Sequence, residues 1–336
     1  MVGPRRSALK KKQDVERAWR RSLRAAVAGD WSAAETWLER IVEADSGDLD
    51  AYHALARLYR QQGEVGRAIR MHQNLLLRSD LDREARREAL LELARDFDVG
   101  GYRERAVAAY EEYLGEVPRQ PEALERLVRL LHDLGEFPRA LALVRRLRRR
   151  DRQLGDQLER EVLLSHAERL FEAGDHEGAR KVVKRCLRRD KHCGRGWALL
   201  GELEAERGKT VRALAAWKKA ARAAPEIDVD LLPKLAATFA ARGKPEDFDR
   251  FVEGLLEERP NDPAATIALA RARAARGDSG GAVEILARAV EAAPEALDLH
   301  AELGRQLIAA GQEAEALKAY GALVEAIERG QPGADA

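Results

Sequence analysis

The chain has 336 residues, 35% of them charged and 5% aromatic, and its 59 basic and 58 acidic side chains leave a net charge of +1. That balance argues against a nucleic-acid partner recruited by bulk charge, no apolar run of about 18 residues is present to span a bilayer, and the two cysteines, Cys186 and Cys193, are too few for a disulfide framework. A reducing, cytoplasmic compartment fits this cysteine usage.

Ala, Leu, Arg and Glu dominate the composition, and all four are strong helix formers, so the expected fold class is all-α. Charge is unevenly spread: residues 1–250 carry a net +8 and residues 251–336 a net −7. Such a molecule is electrically polar along its length and steers charged partners.

Residues 1–14 form a basic lead segment containing Arg5, Arg6, Lys10, Lys11 and Lys12 against one acid, Asp14. Two readings stand: a solvated terminus, or a peripheral membrane contact in which these cations meet anionic lipid head groups. No apolar signal-peptide core follows the start.

From residue 15 a phrase recurs, a glycine followed five positions later by alanine. It appears at Gly29/Ala34, Gly63/Ala68, Gly101/Ala106, Gly135/Ala140, Gly174/Ala179, Gly208/Ala213, Gly277/Ala282 and Gly311/Ala316. A ninth copy at Gly243 has Phe248 in place of the alanine. The intervals are 34, 38, 34, 39, 34, 35, 34 and 34 residues. A period near 34 is that of stacked helix–turn–helix units. Glycine takes the left-handed conformation that ends a helix, and alanine lets the paired helices approach.

The period predicts an α-solenoid of about nine repeats, at 15–48, 49–82, 87–120, 121–154, 160–193, 194–227, 229–262, 263–296 and 297–330, with a disordered tail over 331–336. Repeat two shows the pattern: Tyr52, Leu55, Ala56 and Tyr59 share one helix face, and Ala68, His72 and Leu75 share a face of the next. Extra residues at 83–86 and 155–159 predict an added helical turn or a small loop. Pro118, Pro225, Pro260 and Pro294 follow second helices and set the corners between repeats. The run Arg145, Arg146, Arg148, Arg149, Arg150 and Arg152 is the densest charge cluster. It reads as a solvated helix face, or as a docking patch for an acidic partner or lipid surface built on Arg148, Arg149 and Arg150.

Several phrases look chemical. Gly277-Asp278-Ser279-Gly280-Gly281 spells the surroundings of a serine-protease nucleophile, but it sits on the repeat period at a turn, without the β-barrels such a site needs. Gly208-Lys209-Thr210 has Leu203 where a phosphate-binding loop needs glycine. Cys186, His192 and Cys193 lack a fourth metal ligand, and Cys186 holds an apolar place. His72 and His166 also fall on core positions. No catalytic residue, metal site or cofactor is expected.

The large-small-large helix face, the turn glycine, the alanine and the closing proline resemble the tetratricopeptide repeat (TPR) family over residues 15–330. The resemblance implies a right-handed superhelix whose first helices line a concave, ligand-binding surface. Arg57, Arg60, Arg95 and Arg129 then form a row of cationic forks suited to a partner's carboxylates. Internal pairing is the other reading, since Asp98 and Asp133 lie nearby. The asparagine of the chaperone-tail carboxylate clamp is absent from these positions.

Residues 63–73, from Gly63 through Ile69, His72 and Gln73, resemble more narrowly the lipopolysaccharide assembly protein B family. Leu93-Ala94-Arg95-Asp96-Phe97, the stretch from Gly101 to Ala106, and Gly3-Pro4-Arg5-Arg6-Ser7-Ala8 continue the likeness. The resemblance implies a bacterial protein-protein adaptor that lowers lipopolysaccharide synthesis by presenting the deacetylase committed to lipid A synthesis to the membrane protease FtsH. It also implies a transmembrane anchor and a rubredoxin-like metal module with paired CxxC motifs, neither of which is in this sequence. Peripheral placement at the inner membrane follows from the same likeness. The alternative is a general cytoplasmic interaction module unrelated to lipopolysaccharide. Leu317, Tyr320, Leu323, Val324 and Ile327 on the last helix predict self-association, or a partner, at the C-terminal repeat.

Overall fold

The computed structural model describes residues 4–330, with side chains from residue 13 onward apart from residues 227, 325–326 and 328–330. The side chains of Arg5, Arg6, Lys10, Lys11 and Lys12 and the tail 331–336 lie outside the described residues.

Among the described residues there is no strand, and the helices fall into two compact units that meet in sequence at Val162 and Leu163. The first unit holds α1 (Pro4–Val27), α2 (Trp31–Ala44), α3 (Leu49–Gln61), α4 (Val65–Leu76), α5 (Arg83–Val99), α6 (Arg103–Glu116), α7 (Pro121–Asp133) and α8 (Phe137–Leu147). Helix α9 (Arg152–Glu172) begins in the first unit and ends in the second. The second unit continues with α10 (His176–Arg189), α11 (Gly194–Glu206), α12 (Thr210–Ala223), α13 (Asp228–Ala241) and α14 (Pro245–Glu258). It closes with α15 (Pro263–Ala274), α16 (Ser279–Ala292), α17 (Leu297–Ala309) and α18 (Glu313–Gly330). From Pro4 onward the basic lead segment is thus continuous with the first helix of repeat one.

All nine phrase glycines have positive φ, between 66° and 89°. At Gly63 the chemistry is explicit. Its N–H donates to the Arg60 carbonyl at 3.2 Å, and the Glu64 N–H donates to the Tyr59 carbonyl at 2.8 Å. These bonds satisfy two carbonyls that the end of α3 leaves without helical partners, and they need a left-handed residue between them. The eight alanines that follow the glycines are buried, and so is Phe248 at the ninth place. The Phe248 ring is tilted against Phe239, with centroids 6.5 Å apart.

A second code links residues sixteen apart across each turn. In chain order the pairs are Ser22/Leu38, Ala56/His72, Ala94/Tyr110, Val128/Val144, Ala167/Val183, Gly201/Trp217, Ala236/Val252, Ala270/Leu286 and Gly304/Tyr320. Where the first member shrinks to glycine, the second grows to an aromatic. A Cβ on Gly201 would sit 2.2 Å from the Trp217 ring, and one on Gly304 2.5 Å from the Tyr320 ring. At these two hairpins the absence of a side chain on the first helix is what admits the aromatic ring of the second.

Both inserts lengthen helices. Residues 83–86 form the start of the 17-residue α5, and residues 155–159 lie within the 21-residue α9. The four expected prolines each follow a second helix, at α6, α12, α14 and α16. Pro225 also opens a short 3-10 turn.

Candidate functional site

The row of arginines lies on three first helices, α3, α5 and α7, and every one of the four is engaged by carboxylates of this chain. Arg57 reaches Glu92 at 2.9 Å and Glu88 at 3.6 Å. Arg60 forks between Glu92 at 3.0 Å and Asp96 at 2.7 Å. Arg95 holds Glu92 at 2.5 Å and Glu122 at 2.6 Å. Arg129 meets Glu125 at 3.0 Å and, more distantly, Glu161 at 3.9 Å. The partners differ from the nearby acids visible in the sequence: Asp98 bonds Arg126 at 2.5 Å, and Asp133 lies beside His132.

Beneath this row runs a buried polar chain. Asp96 and Glu92 are buried, one helical turn apart on α5. The carboxylate of Asp96 accepts from Arg60, and it also meets His72 Nδ1 at 2.5 Å. An ionised carboxylate only accepts, so His72 Nδ1 carries the proton. His72 Nε2 and His53 Nδ1 share a hydrogen bond at 3.1 Å. Burial, then the neighbouring His72, pushes the pKa of His53 down. His72 is therefore a hydrogen-bonded core residue of α4 that ties α3 to α5.

Glu92 is the hub. Burial alone would raise its carboxyl, but Arg57, Arg60 and Arg95 outweigh burial and hold it down at about 2. The same device recurs in the second unit, where the buried Glu302 of α17 takes Arg271 of α15 at 2.6 Å and Arg305 at 2.6 Å. Burial would raise Glu302 too, yet Arg271, Gln306 and Arg305 keep it at about 2. Counted within their repeats, Arg57 and Arg271 occupy one position and Glu92 and Glu302 another. Glu202 and Lys234, 2.7 Å apart, fill those positions with the charges exchanged. The motif is an ionic staple between the first helices of successive repeats.

The staples set a pH dependence. Both carboxyls have folded pKa values below the ordinary 4.5, so their contribution is fully present above 4.5 and is lost as pH falls towards 2. The contribution is on the order of 3 kcal/mol for each. Asp228 works in the opposite sense. Burial raises it to about 6 despite Arg259 at 2.7 Å, so its contribution is present below its ordinary 3.8 and lost as pH rises through 6. Urea unfolding followed from neutral pH down to about pH 3 is expected to show a falling midpoint below pH 4.5, with a smaller fall in Glu92→Gln.

The other sequence-derived places are structural in form. Arg148 caps the end of α8 and bonds the buried Glu159 at 2.7 Å, while Arg149 and Arg150 are exposed in the turn that follows. The Asp278 side chain caps α16 by accepting from the Gly281 N–H at 2.9 Å. Lys209 precedes the first residue of α12. Cys186 is buried, and its side-chain hydrogen bond pulls the Cys193 thiol down to about 6. Among the described residues no group of three or more His, Cys, Asp or Glu side chains could hold a metal ion, and no helix is long and apolar enough to cross a membrane.

Sequence reasoning missed His53, Glu92, Asp96 and Glu302 as members of the site. The signal was present: Glu92 and Asp96 stand four apart on the apolar face of their helix, where an acid requires a partner.

Two families described as tetratricopeptide repeats match the chain, one over residues 51–87 and the other over residues 91–154 and 164–226. The chain is 27% identical to the lipopolysaccharide assembly protein B of Escherichia coli (strain K12) over 267 residues, 76% of this chain and 66% of that protein. It is 25% identical to the protein of the same name from Haemophilus influenzae over 215 residues, 64% of this chain and 54% of that one. The chain thus spans about two thirds of the first relative and about half of the second. A crystallised tetratricopeptide repeat protein from Parabacteroides merdae matches 88% of this chain and 99% of its own, at 14% identity and a TM-score of 0.42.

Proposed function

We infer that this chain, a tetratricopeptide repeat protein similar to lipopolysaccharide assembly protein B, is a non-catalytic adaptor that holds other proteins in bacterial envelope biogenesis. The carrying observation is the likeness over 267 residues, 76% of this chain. The partners proposed by that likeness are a lipid A pathway deacetylase and the FtsH protease, met in the cytoplasm or at the inner membrane surface. Arg57 and Arg129 keep nearly half of their side-chain surface open, so a partner's carboxylates can share them with Glu92 and Glu125. Arg60 and Arg95 are the less open pair, and they orient the row. Arg149 and Arg150, with the basic side chains of the lead segment, are proposed as further contacts for an acidic partner or lipid.

Affinity purification of the intact chain from a lipopolysaccharide-producing bacterium, after cross-linking, tests this. The deacetylase or FtsH is expected among the cross-linked proteins, and removal of the chain is expected to raise deacetylase abundance several-fold. Recovery of neither, with unchanged deacetylase abundance, would sink the envelope reading and leave the general interaction module.

A further inference from the structure

The second unit carries two surfaces that are complementary to each other. The first is a cavity of about 760 Å³ between α10, α11 and α12, a volume within the usual range for ligand pockets. Its floor is apolar, built by Leu187, Trp197, Leu200 and Ala223. Its rim is cationic: Lys184, Arg188, Lys191, Lys219 and Arg222. Lys219 stacks 4.2 Å above the Trp197 ring, and Trp197 Nε1 donates to the Lys191 carbonyl at 2.8 Å, so the aromatic is fixed in place.

No carboxylate lines this cavity. Arg222 meets Glu258 at 3.3 Å in an exposed pair. Lys184, Arg188, Lys191 and Lys219 have no carboxylate within 4 Å among the described residues. Elsewhere the contrast is sharp, since each arginine of the first-unit row is paired. Cations gathered around one apolar floor repel each other, and an incoming anion relieves that repulsion.

The second surface is α18. Leu317 is 74% exposed, Val324 54% and Ile327 41%. Leu317 and Val324 are seven apart and Ile327 three further on, so all three fall on one helix face. Glu313, four residues before Leu317, heads that face, whereas Glu315 and Lys318 are exposed away from it. Both acids are exposed, and neither has a cation within salt-bridge distance among the described residues. The adjoining side of α18 is committed to its own hairpin through Ala316, Ala319 and the Tyr320–Gly304 approach, and Tyr320 borders the exposed residues. None of its described residues lines the basic cavity of the same chain.

We propose that α18 of one copy docks into the α10–α12 cavity of a second copy, with Leu317 on the Trp197 floor and Glu313 against the cationic rim. The two surfaces differ, so the contact is head-to-tail and can propagate along a chain of copies. The charge complementarity commits the pocket to this occupant. The inference stands independently of any envelope partner, because it concerns copies of this chain alone.

Sedimentation velocity of the intact protein over a wide concentration range tests it. Wild type is expected to associate reversibly, and more weakly at high salt. A rim-reversed chain (Lys184→Glu with Arg188→Glu) and a helix-reversed chain (Glu313→Lys) are each expected to lose at least about tenfold in self-affinity. Mixing those two variants should restore association, since each rim then meets the matching helix. Leu317→Ser should weaken association with no charge change. Circular dichroism of each variant confirms its folding. A wild type that stays monomeric throughout, an association indifferent to both reversals, or a mixture that fails to recover would overturn the proposal. So would a rim that binds phosphatidylglycerol vesicles or an unrelated acidic peptide while the chain remains monomeric.

Discussion

Glu92→Ala is expected to destabilise the first unit by about 3 kcal/mol, the low end for breaking a buried ion pair. The magnitude follows from what each arginine does next. Arg57 and Arg95 turn to water or to Glu88 and Glu122, because both are part-exposed and already touch those acids. Arg60 is largely buried and keeps only Asp96. The loss is therefore the stranded half of Arg60's fork plus the space left by the glutamate. Glu122→Ala, which removes an exposed partner of the same Arg95, should cost under about 1 kcal/mol. Urea denaturation of the three proteins checks the order. Equal effects for Glu92 and Glu122 would mean that the hub is no more than a surface pair.

Gly201→Leu is expected to be at least as damaging, by about 3 kcal/mol or more. The new Cβ alone would stand 2.2 Å from the Trp217 ring, which is buried and cannot retreat. Trp217→Ala by itself should also destabilise, by roughly 3–5 kcal/mol, through the cavity it opens. Combined in one chain the two changes should compensate, because the leucine fills the space vacated by the indole. A coupling of about 2 kcal/mol between the sites is expected from the double-mutant cycle. Additive losses would show that the pair does not share one volume. The equivalent exchange at Gly304 and Tyr320 provides a second cycle in the last hairpin.

These two predictions concern different layers of the sequence, and the layers differed in legibility. The turn glycines, the alanines after them and the helix-closing prolines were all readable, because period and backbone conformation are local properties; the inserts were readable in place, and both lie within long helices, α5 and α9. The arginine row was readable in position only. An arginine at the same repeat position looks alike whether it is free or held. What decides is an acid more than 30 residues away, as with Arg57 and Glu92 or Arg271 and Glu302. His53 was hidden for a related reason: its hydrogen-bond partner His72 lies on the next helix. The cationic pocket was divided between α10 and α12, so its cations became neighbours only once the hairpins were stacked.

The repeat code also carries a statement about cooperativity. A two-helix hairpin buries one face against its own turn and needs its neighbours for the other. The buried clusters bear this out in detail: Ala68 of α4 belongs with residues of α1, α2 and α3, and Leu299 of α17 with residues of α15, α16 and α18. Each repeat then answers to its neighbours, and ionic staples such as Glu92 act across one junction at a time.

Native-state hydrogen exchange of the intact chain, read peptide by peptide in wild type and Glu92→Ala, tests that central claim most directly. Nearest-neighbour stacking predicts lost protection concentrated in α3 to α6, with α15 to α18 unchanged. Uniform loss of protection from α1 to α18 would contradict it.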